Sequence, residues 1–387
     1  MSDKLPPPPP SITEAERLAR LDALRRRMDE VGVETVLLGA TASLRYFTGM
    51  SWHASERFCG ALVHADRLEY VAPRFELDKV AQIIGAPGEI LTWEEDANPY
   101  RLIAERIGAR GKIALDDQIA FFMYRRLRGE MGDARIADAG PLINALRRRK
   151  TASEIALMQH AKTITLEVQR RAHAQLREGQ RASEVERFIA DQHRALGGNG
   201  NTFCIVSFAE DTSLPHGGEG DRALKRGDVV LIDTGTQIDG YNSDITRTYV
   251  FGDAPADVRA VWNAEKEAQA AAFEAAQLGR PCESPDNAAR AVLDRHGYGP
   301  DYRLPGLPHR TGHGIGLDVH EAPNLCRGDV TPLEAGMCFS NEPMIVIPGR
   351  FGVRHEDHFY MTENGPRWFT EPAHSIDEPF ANAPVFA

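Results

Sequence analysis

The sequence predicts an α+β protein with two domains, and three observations support this prediction. The chain has 387 residues, which is more than the ~100–200 of one usual domain. Helical and strand-like patterns both recur along its whole length. A basic run at 147–150 is followed at Thr151 by a new helix-start signal. The predicted parts are a proline-rich tail at 1–11, a smaller domain at 12–148 and a larger domain at 151–387.

The tail and the first domain show different patterns. Five prolines at Pro6–Pro10 predict a disordered tail, since proline fixes φ and donates no hydrogen bond. Apolar residues then recur every three or four positions, and Thr13 with Glu16 forms a capping-box signal, which predicts an amphipathic helix. Further patterns in this mixed α/β domain predict strands at 33–40, on both sides of a turn at 65–67 and at 112–117, and a helix at 120–131.

The second domain begins with a helical pattern. Thr151 and Glu154 have capping-box spacing, and the pattern continues to about Glu178. The remaining helices are predicted at 183–196, at 257–278 and in a shorter segment that ends near His296. Strands are predicted at 202–208, in two segments within 231–249, at 336–348 and at 352–362.

Composition excludes several classes of partner. The formal net charge of −11 gives no basic surface for nucleic acid, and no run approaches the ~18 apolar residues that span a bilayer. Five scattered cysteines indicate neither a disulfide framework nor a thiolate metal site. The sequence therefore predicts a cytoplasmic protein with small partners, without a nucleic-acid or membrane partner.

Acidic residues and histidines occur where the surrounding pattern is apolar or glycine-rich. Asp233 and Asp244 lie in strand-like segments joined by a glycine-containing turn, where β-branched residues are expected. Similar residues recur further on: His309, His313, His320, Glu342, Arg354 and Glu356. Burying an unpaired carboxylate costs several kcal/mol, so several carboxylates in one core require a positive centre. A divalent cation would satisfy them together.

The donor set favours two metal ions over one. Four carboxylates and one imidazole suit two hard or borderline ions that share bridging carboxylates, and they suit one tetrahedral zinc poorly. Each residue alone also has an ordinary structural explanation: Asp233 could cap a turn, Glu342 could pair with an arginine, and glycine-flanked histidines are often core or loop residues. Only the whole set indicates a dinuclear site.

At these residues the sequence resembles the pita-bread metallopeptidases, which include Xaa-Pro dipeptidases (prolidases), aminopeptidase P and methionine aminopeptidase. The matching motifs are D-x-G, a second Asp eleven residues later, G-H-G-x-G, N-E-P and a Glu in the last strand. The resemblance implies a pita-bread domain whose metal ligands are Asp233, Asp244, His313, Glu342 and Glu356. It implies two divalent ions, with manganese expected before cobalt or zinc.

The resemblance extends to residues around these ligands. The segment 46–50 is similar to the creatinase-type N-terminal domain, and Arg354 matches the proline-directed branch. The implied roles are general base for Glu342, oxyanion stabilisation for His320, substrate contacts for His216 and His309, and orientation of a bridging carboxylate for Arg354. Three residues depart from the family pattern: Arg310 replaces a usual Gly, His355 an aliphatic residue and His358 a Thr. We expect these three on the substrate side of the site.

The implied activity is hydrolysis of the Xaa-Pro bond in dipeptides or short peptides by a hydroxide that bridges the two ions. The implied assembly is a homodimer, in which the N-terminal domain limits substrate length. An alternative is hydrolysis of a small, non-peptide cyclic amide on the same fold. A creatinase-type amidinohydrolase lacks the metal ligands, and non-catalytic scaffolds have typically lost them, so the five intact residues favour a metal-dependent hydrolase.

Overall fold

The computed structural model describes residues 5–108, 111–383 and 386. The chain divides into two compact units, of which one is Ile12–Arg147 and the other is formed by the described residues on either side of it. Within the described part of the chain, no helix is long and apolar enough to cross a membrane.

The N-terminal unit is a six-stranded mixed sheet with helices. Its strands are β1 (Thr35–Leu38), β2 (Gly60–His64), β3 (Leu68–Pro73), β4 (Glu89–Trp93), β5 (Ile113–Leu115) and β6 (Ile136–Asp138), in the order β4-β3-β2-β1-β5-β6. Its α-helices are α1 (Glu14–Val31), α2 (Ala42–Thr48), α3 (Leu77–Ile83), α4 (Pro99–Ile107), α5 (Phe121–Met131) and α6 (Gly140–Arg147). Strand β1 is buried along its whole length, as its apolar run predicts. The capping box at Thr13 and Glu16 is confirmed at the start of α1.

The larger unit contains four long helices and several small sheets. The helices are α7 (Ala152–Gln175), α8 (Ala182–Ala195), α9 (Ala256–Ala275) and α10 (Glu283–Arg295). The first strands are β7 (Phe203–Phe208), β8 (Val229–Gly235), β9 (Gln237–Ile238), β10 (Tyr241–Asn242) and β11 (Ile245–Val250). The later strands are β12 (Gly312–Gly314), β13 (Glu321–Leu325), β14 (Cys338–Asn341), β15 (Met344–Ile347), β16 (Phe351–Arg354), β17 (Asp357–Thr362) and β18 (Gly365–Trp368). The main sheets have the orders β11-β8-β7 and β13-β12-β14-β17-β18.

Helix packing fixes the sheets that carry the acidic residues. Ile164 and Val168 of α7 share a buried cluster with Val230 and Ile232 of β8. Helices α9 and α10 share another with strands β15 and β16. The Trp262 indole of α9 also donates to a carbonyl of β11 at 3.0 Å. The strands therefore have rigid support on the side away from the polar groups.

The predicted turn between the two acidic strand segments is a tight hairpin. Asp239 and Gly240 connect β9 to β10, and both have positive φ, at 47° and 80°. Two successive positive φ values are typical of a type I′ turn, which favours Asp-Gly. The hairpin brings Asp244 back beside the strand that carries Asp233.

Two predicted strands are each broken in the structure. The segment 336–348 forms β14 and β15 with a gap at Glu342 and Pro343, and 352–362 forms β16 and β17 with a gap at His355 and Glu356. Pro343 has no backbone N–H for a sheet ladder, which explains the first break. At the second, Glu356 exchanges backbone hydrogen bonds with Thr246 of β11. Both breaks thus fall at predicted metal ligands.

The proline-rich tail is only partly described. Pro6–Pro10 have no regular secondary structure, and Leu5 packs against the cluster formed by α7, α8 and β8. Residues 1–4 lie outside the described part of the chain, so disorder there stays a prediction.

Candidate metal centre

Antiparallel pairing brings the two aspartates to one end of the sheet formed by β7, β8 and β11. Asp233 on β8 lies opposite Thr246 of β11, and Asp244 immediately precedes β11. The two aspartates are only 7% and 4% exposed. The sequence therefore places two carboxylates in a buried position where apolar residues normally lie.

Glu356 is held against the same strand end by Thr246. The backbone N–H of Glu356 donates to the Thr246 carbonyl at 3.0 Å, and the Thr246 hydroxyl donates to Glu356 Oε2 at 2.9 Å. Thr246 thus lies between Asp233 on one strand and Glu356 on the next segment. Thr246 was not among the predicted site residues, because threonine is common in strands and its presence there does not indicate a functional site.

His313 and Glu342 approach from the five-stranded sheet. Because a carbonyl only accepts, the 3.0 Å contact to Gly314 O places a proton on His313 Nδ1. His313 Nε2 then lies 3.1 Å from Glu342 Oε1 and 3.8 Å from Asp244 Oδ2. The Ser340 hydroxyl also donates to Glu342 Oε1, at 3.1 Å. The Nδ1 hydrogen bond therefore fixes the ring so that Nε2 faces the carboxylates, which is the orientation that a metal ligand needs.

Two donor sets in this region have ligand atoms within 4.8 Å of one another. One set is Asp244, Glu356 and His358, and the other is His313, Glu342 and Glu356. Glu356 belongs to both sets, so one carboxylate can bridge two neighbouring ions.

Several oxygens in these sets lack partners. Among the described residues, Asp233 Oδ1, Asp244 Oδ1 and Glu356 Oε1 are buried and have no hydrogen-bond partner. Unsatisfied buried carboxylate oxygens are costly unless a cation binds them. The residues therefore fit a pair of divalent ions.

The pKa values of two of the acids show that the carboxylates repel one another. Burial, followed by the negative charges of the neighbouring carboxylates, raises the pKa values of Asp244 and Glu356 well above their usual range. Asp233 and Glu342 both contribute to this repulsion. Without a cation, these carboxyls therefore tend to hold a proton.

Glu342 behaves in the opposite way. Burial alone would raise its pKa, but the hydrogen bond and charge of His313, together with the charges of His309 and Arg354, lower the pKa to about 2. The Glu342 side chain is 15% exposed, which is the largest exposed fraction among the five predicted ligands. Glu342 is thus an ionised carboxylate at the edge of the buried cluster.

The Arg354 guanidinium donates hydrogen bonds to three groups in and around the cluster. Its Nη2 donates to Asp233 Oδ2 at 2.7 Å, its Nη1 donates to Pro215 O at 2.9 Å, and its Nε donates to the Thr246 hydroxyl at 3.3 Å. Burial opposes the charged form, but the charges of Asp233 and the other acids raise the pKa of Arg354 overall. The guanidinium therefore fixes Asp233 and ties it to the loop that carries His216.

The other predicted histidines surround the cluster more loosely. His320 is exposed, and its ring centre lies 4.2 Å from that of His313. Loss of solvation, then the charges of His313 and Arg310, lower the pKa of His320 to about 4. His309 is partly buried and contacts the Arg310 carbonyl through Nδ1 at 2.7 Å, whereas His216 is exposed.

The expected substrate-side position of the three departing residues is wrong for two of them. His355, in the gap between β16 and β17, and His358, in β17, are both completely buried. The His355 ring packs on Trp262 at 4.5 Å, and the His358 ring belongs to a donor set. Only Arg310 is partly exposed, and its Nη1 donates to Asn324 Oδ1 at 2.8 Å.

Repulsion among the acids predicts that the metal-free protein loses stability as pH rises. The folded-state pKa values of Asp244 and Glu356 are raised, so above pH ~4–5 the folded state binds more protons than the unfolded state. The free energy of unfolding therefore decreases as pH rises. We expect the Tm of chelator-treated protein to fall between about pH 6.5 and pH 8. The buried histidines, whose pKa values are lowered, stop contributing to the slope above their unfolded pKa of ~6.5.

The control separates this cluster from other buried groups. Glu265 also has a raised pKa and adds to the slope, whereas Lys162, whose pKa is lowered to about 8, acts above this window. Glu356→Gln should therefore reduce the slope without removing it, and manganese should raise the Tm of the unaltered protein more at pH 8 than at pH 6.5. Equal slopes for the two metal-free proteins, measured by differential scanning calorimetry, would contradict the assigned repulsion.

Two family models match the chain. The model of metallopeptidase family M24 matches residues 156–363, and the model of the creatinase/prolidase N-terminal domain matches residues 20–149. The chain is 32% identical over 360 residues to the Xaa-Pro dipeptidase of Lactobacillus helveticus, a match that covers 90% of this chain and 96% of the relative.

Solved structures give the same result. The dipeptidase PepE from Mycobacterium ulcerans superposes with a TM-score of 0.88 at 33% identity, covering 95% of this chain and 98% of that one. The prolidase from Thermococcus sibiricus has a TM-score of 0.84 at 29% identity, covering 94% and 98%. The predicted α+β fold, with a pita-bread domain and a creatinase-type N-terminal domain, is confirmed. The chain therefore belongs to metallopeptidase family M24.

Proposed function

We propose that this protein is a metal-dependent Xaa-Pro dipeptidase that acts on dipeptides or short Xaa-Pro peptides. The observation that carries the proposal is the position of Glu356, which joins two donor sets into one cluster. The relatives named Xaa-Pro dipeptidase and prolidase support a peptide substrate over a small cyclic amide. Dipeptidase and aminopeptidase P activities differ in substrate length, and the dipeptidase names of these relatives favour the shorter substrate.

The proposed ligands of the two ions are Asp233, Asp244, His313, Glu342 and Glu356. When bound, such ions lower the pKa of a shared water and polarise a carbonyl. The protein's own contribution is to hold the ligand atoms in place through Arg354 and Thr246, whose hydrogen bonds to Asp233 and Glu356 are buried. Such outer contacts fix ligand orientation.

Glu342 is the proposed general base. Its carboxylate lies at the edge of the cluster, and its pKa of about 2 keeps it ionised at neutral pH, so it can accept a proton from water. An Xaa-Pro bond leaves through a nitrogen that has no N–H, so this nitrogen must gain a proton before it departs. The low pKa comes from the nearby cationic groups and makes Glu342 a weak base, so the proton must come from a water that a bound ion would make more acidic; Glu342 can then return that proton to the leaving nitrogen.

The three histidines around the cluster are proposed to contact the substrate. His320 is neutral at pH 7 because its pKa is about 4, so it can donate an N–H to the carbonyl oxygen without adding a charge. His216 is exposed and His309 partly buried, so both remain available to a bound peptide. Arg310, beside His309, adds a positive charge that suits the carboxylate end of a dipeptide.

The substrate preference is directly testable. We expect kcat/KM for Ala-Pro to exceed that for Ala-Ala by at least about tenfold, because proline has no backbone N–H and so leaves no unsatisfied donor in the site, whereas the N–H of Ala-Ala would need a partner there. Initial rates with manganese-loaded enzyme on both dipeptides, on a longer Xaa-Pro peptide and on a small cyclic amide would measure this. Equal rates for Ala-Pro and Ala-Ala, or turnover of the cyclic amide alone, would remove the proline assignment and leave a metal hydrolase.

Three finer properties belong to the same proposal. Manganese is proposed as the activating ion, supported by the oxygen-rich donor set. A cytoplasmic location is supported by the five cysteines, all of which are free thiols. The homodimer is implied by the family resemblance, and light scattering coupled to size exclusion would test it.

A further inference from the structure

His358 lies beside the metal ligands because of strand geometry. Side chains alternate between the two faces of a strand, so residues two apart share a face. Glu356 lies just before β17, so the alternation applies to Asp357 and His358: Asp357 pairs with Arg247 at 2.7 Å, and His358 points the opposite way, towards Glu356. His358 Nε2 lies 3.7 Å from Glu356 Oε1.

The imidazole of His358 has no explanation within the protein alone. Its side chain is completely buried beside the Asp244 backbone, and among the described residues neither Nδ1 nor Nε2 has a partner in good hydrogen-bond geometry. The nearest carboxylate oxygen, Glu356 Oε1, is also buried and unpartnered, and so is Asp244 Oδ1. Leaving a buried polar group unsatisfied costs roughly 1–3 kcal/mol, so three such groups in one place indicate a missing common partner.

Burial alone does not distinguish His358 from His355. His355 is equally buried and its ring nitrogens also lack hydrogen-bond partners, but its ring packs on Trp262 and its Nε2 lies 3.4 Å from Glu265. His355 belongs to neither donor set, whereas His358 forms one with Asp244 and Glu356, with all ligand atoms within 4.8 Å. Donors that bind one ion lie at about this range or closer, since metal–nitrogen and metal–oxygen bonds are ~2.0–2.2 Å long.

We propose that His358 is a sixth protein ligand of the metal centre and binds the ion that Asp244 and Glu356 share. The proposal rests on the dinuclear site of the proposed function. It gives the centre a second imidazole, in addition to His313 on the other donor set. Imidazole favours cobalt, nickel and zinc over manganese, so His358 would shift metal preference towards these ions.

Cobalt-loaded protein provides a test that does not depend on catalysis. Each imidazole bound to paramagnetic Co²⁺ keeps one N–H, whose proton resonance moves far downfield and is absent when the protein is loaded in D₂O. We expect two such resonances from the unaltered protein and one from His358→Thr. Titration calorimetry should show that His358→Thr binds the weaker Co²⁺ ion at least about tenfold less tightly, with a smaller change for Mn²⁺.

His355→Phe is the matched control. It removes an imidazole of equal burial one position from Glu356 on the other side, and phenylalanine keeps the ring that packs on Trp262. This variant should retain both resonances.

One resonance in the unaltered protein, or two in His358→Thr, would overturn the assignment of His358 while leaving the dinuclear site intact. Failure of the unaltered protein to bind Co²⁺ would overturn both proposals. One resonance in the unaltered protein overturns the proposal without any variant; two resonances are assigned to His358 by the loss of one in His358→Thr, or in His358→Gln where the threonine variant does not fold.

Discussion

Asp244→Asn is expected to lower kcat on Ala-Pro by about 10³-fold or more. The carboxylate lies within 3.8 Å of His313 and belongs to the donor set that contains Glu356, so its loss removes a negative oxygen from the centre of the cluster. Bound ions supply several kcal/mol of transition-state stabilisation, and each 1.36 kcal/mol changes the rate tenfold. Steady-state kinetics with excess manganese and metal analysis of the same sample would measure both effects.

Asp239→Asn is the matched control for this variant. Asp239 lies in the hairpin turn between Asp233 and Asp244, and asparagine tolerates its positive φ of 47°. The same chemical change, five residues from Asp244, should leave kcat and metal content near those of the unaltered protein. If Asp244→Asn kept two ions per chain and full activity, the dinuclear assignment would fail.

The five ligands remain predictions, made from local signals that indicate a metal site only as a set. A carboxylate in an apolar strand segment conflicts with strand preference, and such conflicts mark functional positions. Asp233 and Asp244 are the clearest cases. The capping boxes that start α1 and α7 were equally local, and both are confirmed.

The break at Glu356 could not be predicted from pattern, and at Glu342 the apolar pattern outweighed the local signal of Pro343. Both flanking segments are apolar enough to continue as single strands, and the breaks depend on contacts with residues distant in sequence. Glu356 pairs with Thr246, 110 residues away, and the backbone N–H of Glu342 donates to Thr311 O. Periodicity reports only neighbours along the chain, so it misses such interruptions.

His358 shows a different kind of error. Its position two residues after Glu356 predicts that both side chains share a face, and this signal was present in the sequence. Because the family has threonine at this position, His358 was instead predicted to lie on the substrate side of the site. The short elements β4 and α2–α4 were missed for a simpler reason, since fewer than ten residues with mixed burial give weak periodicity.

His320→Ala is expected to lower kcat on Ala-Pro by roughly 10²–10³-fold, since removing one oxyanion donor typically costs this much. His320 is exposed and lies outside both donor sets, so metal content and Tm should stay near those of the unaltered protein. Its ring nevertheless lies 4.2 Å from His313, close enough for its N–H to reach a substrate oxygen beside the cluster.

The conservative variant distinguishes a hydrogen-bond donor from a packing role. His320→Gln keeps an N–H donor at a similar reach and should recover part of the lost kcat, whereas a residue that only supports His313 would show metal loss in both variants. A transition-state effect lowers kcat with little change in KM, and a lost ground-state contact raises KM instead. Normal turnover by His320→Ala with full metal content would show that another group stabilises the oxyanion, and His216, whose charge also acts on His320, would be the next residue to substitute.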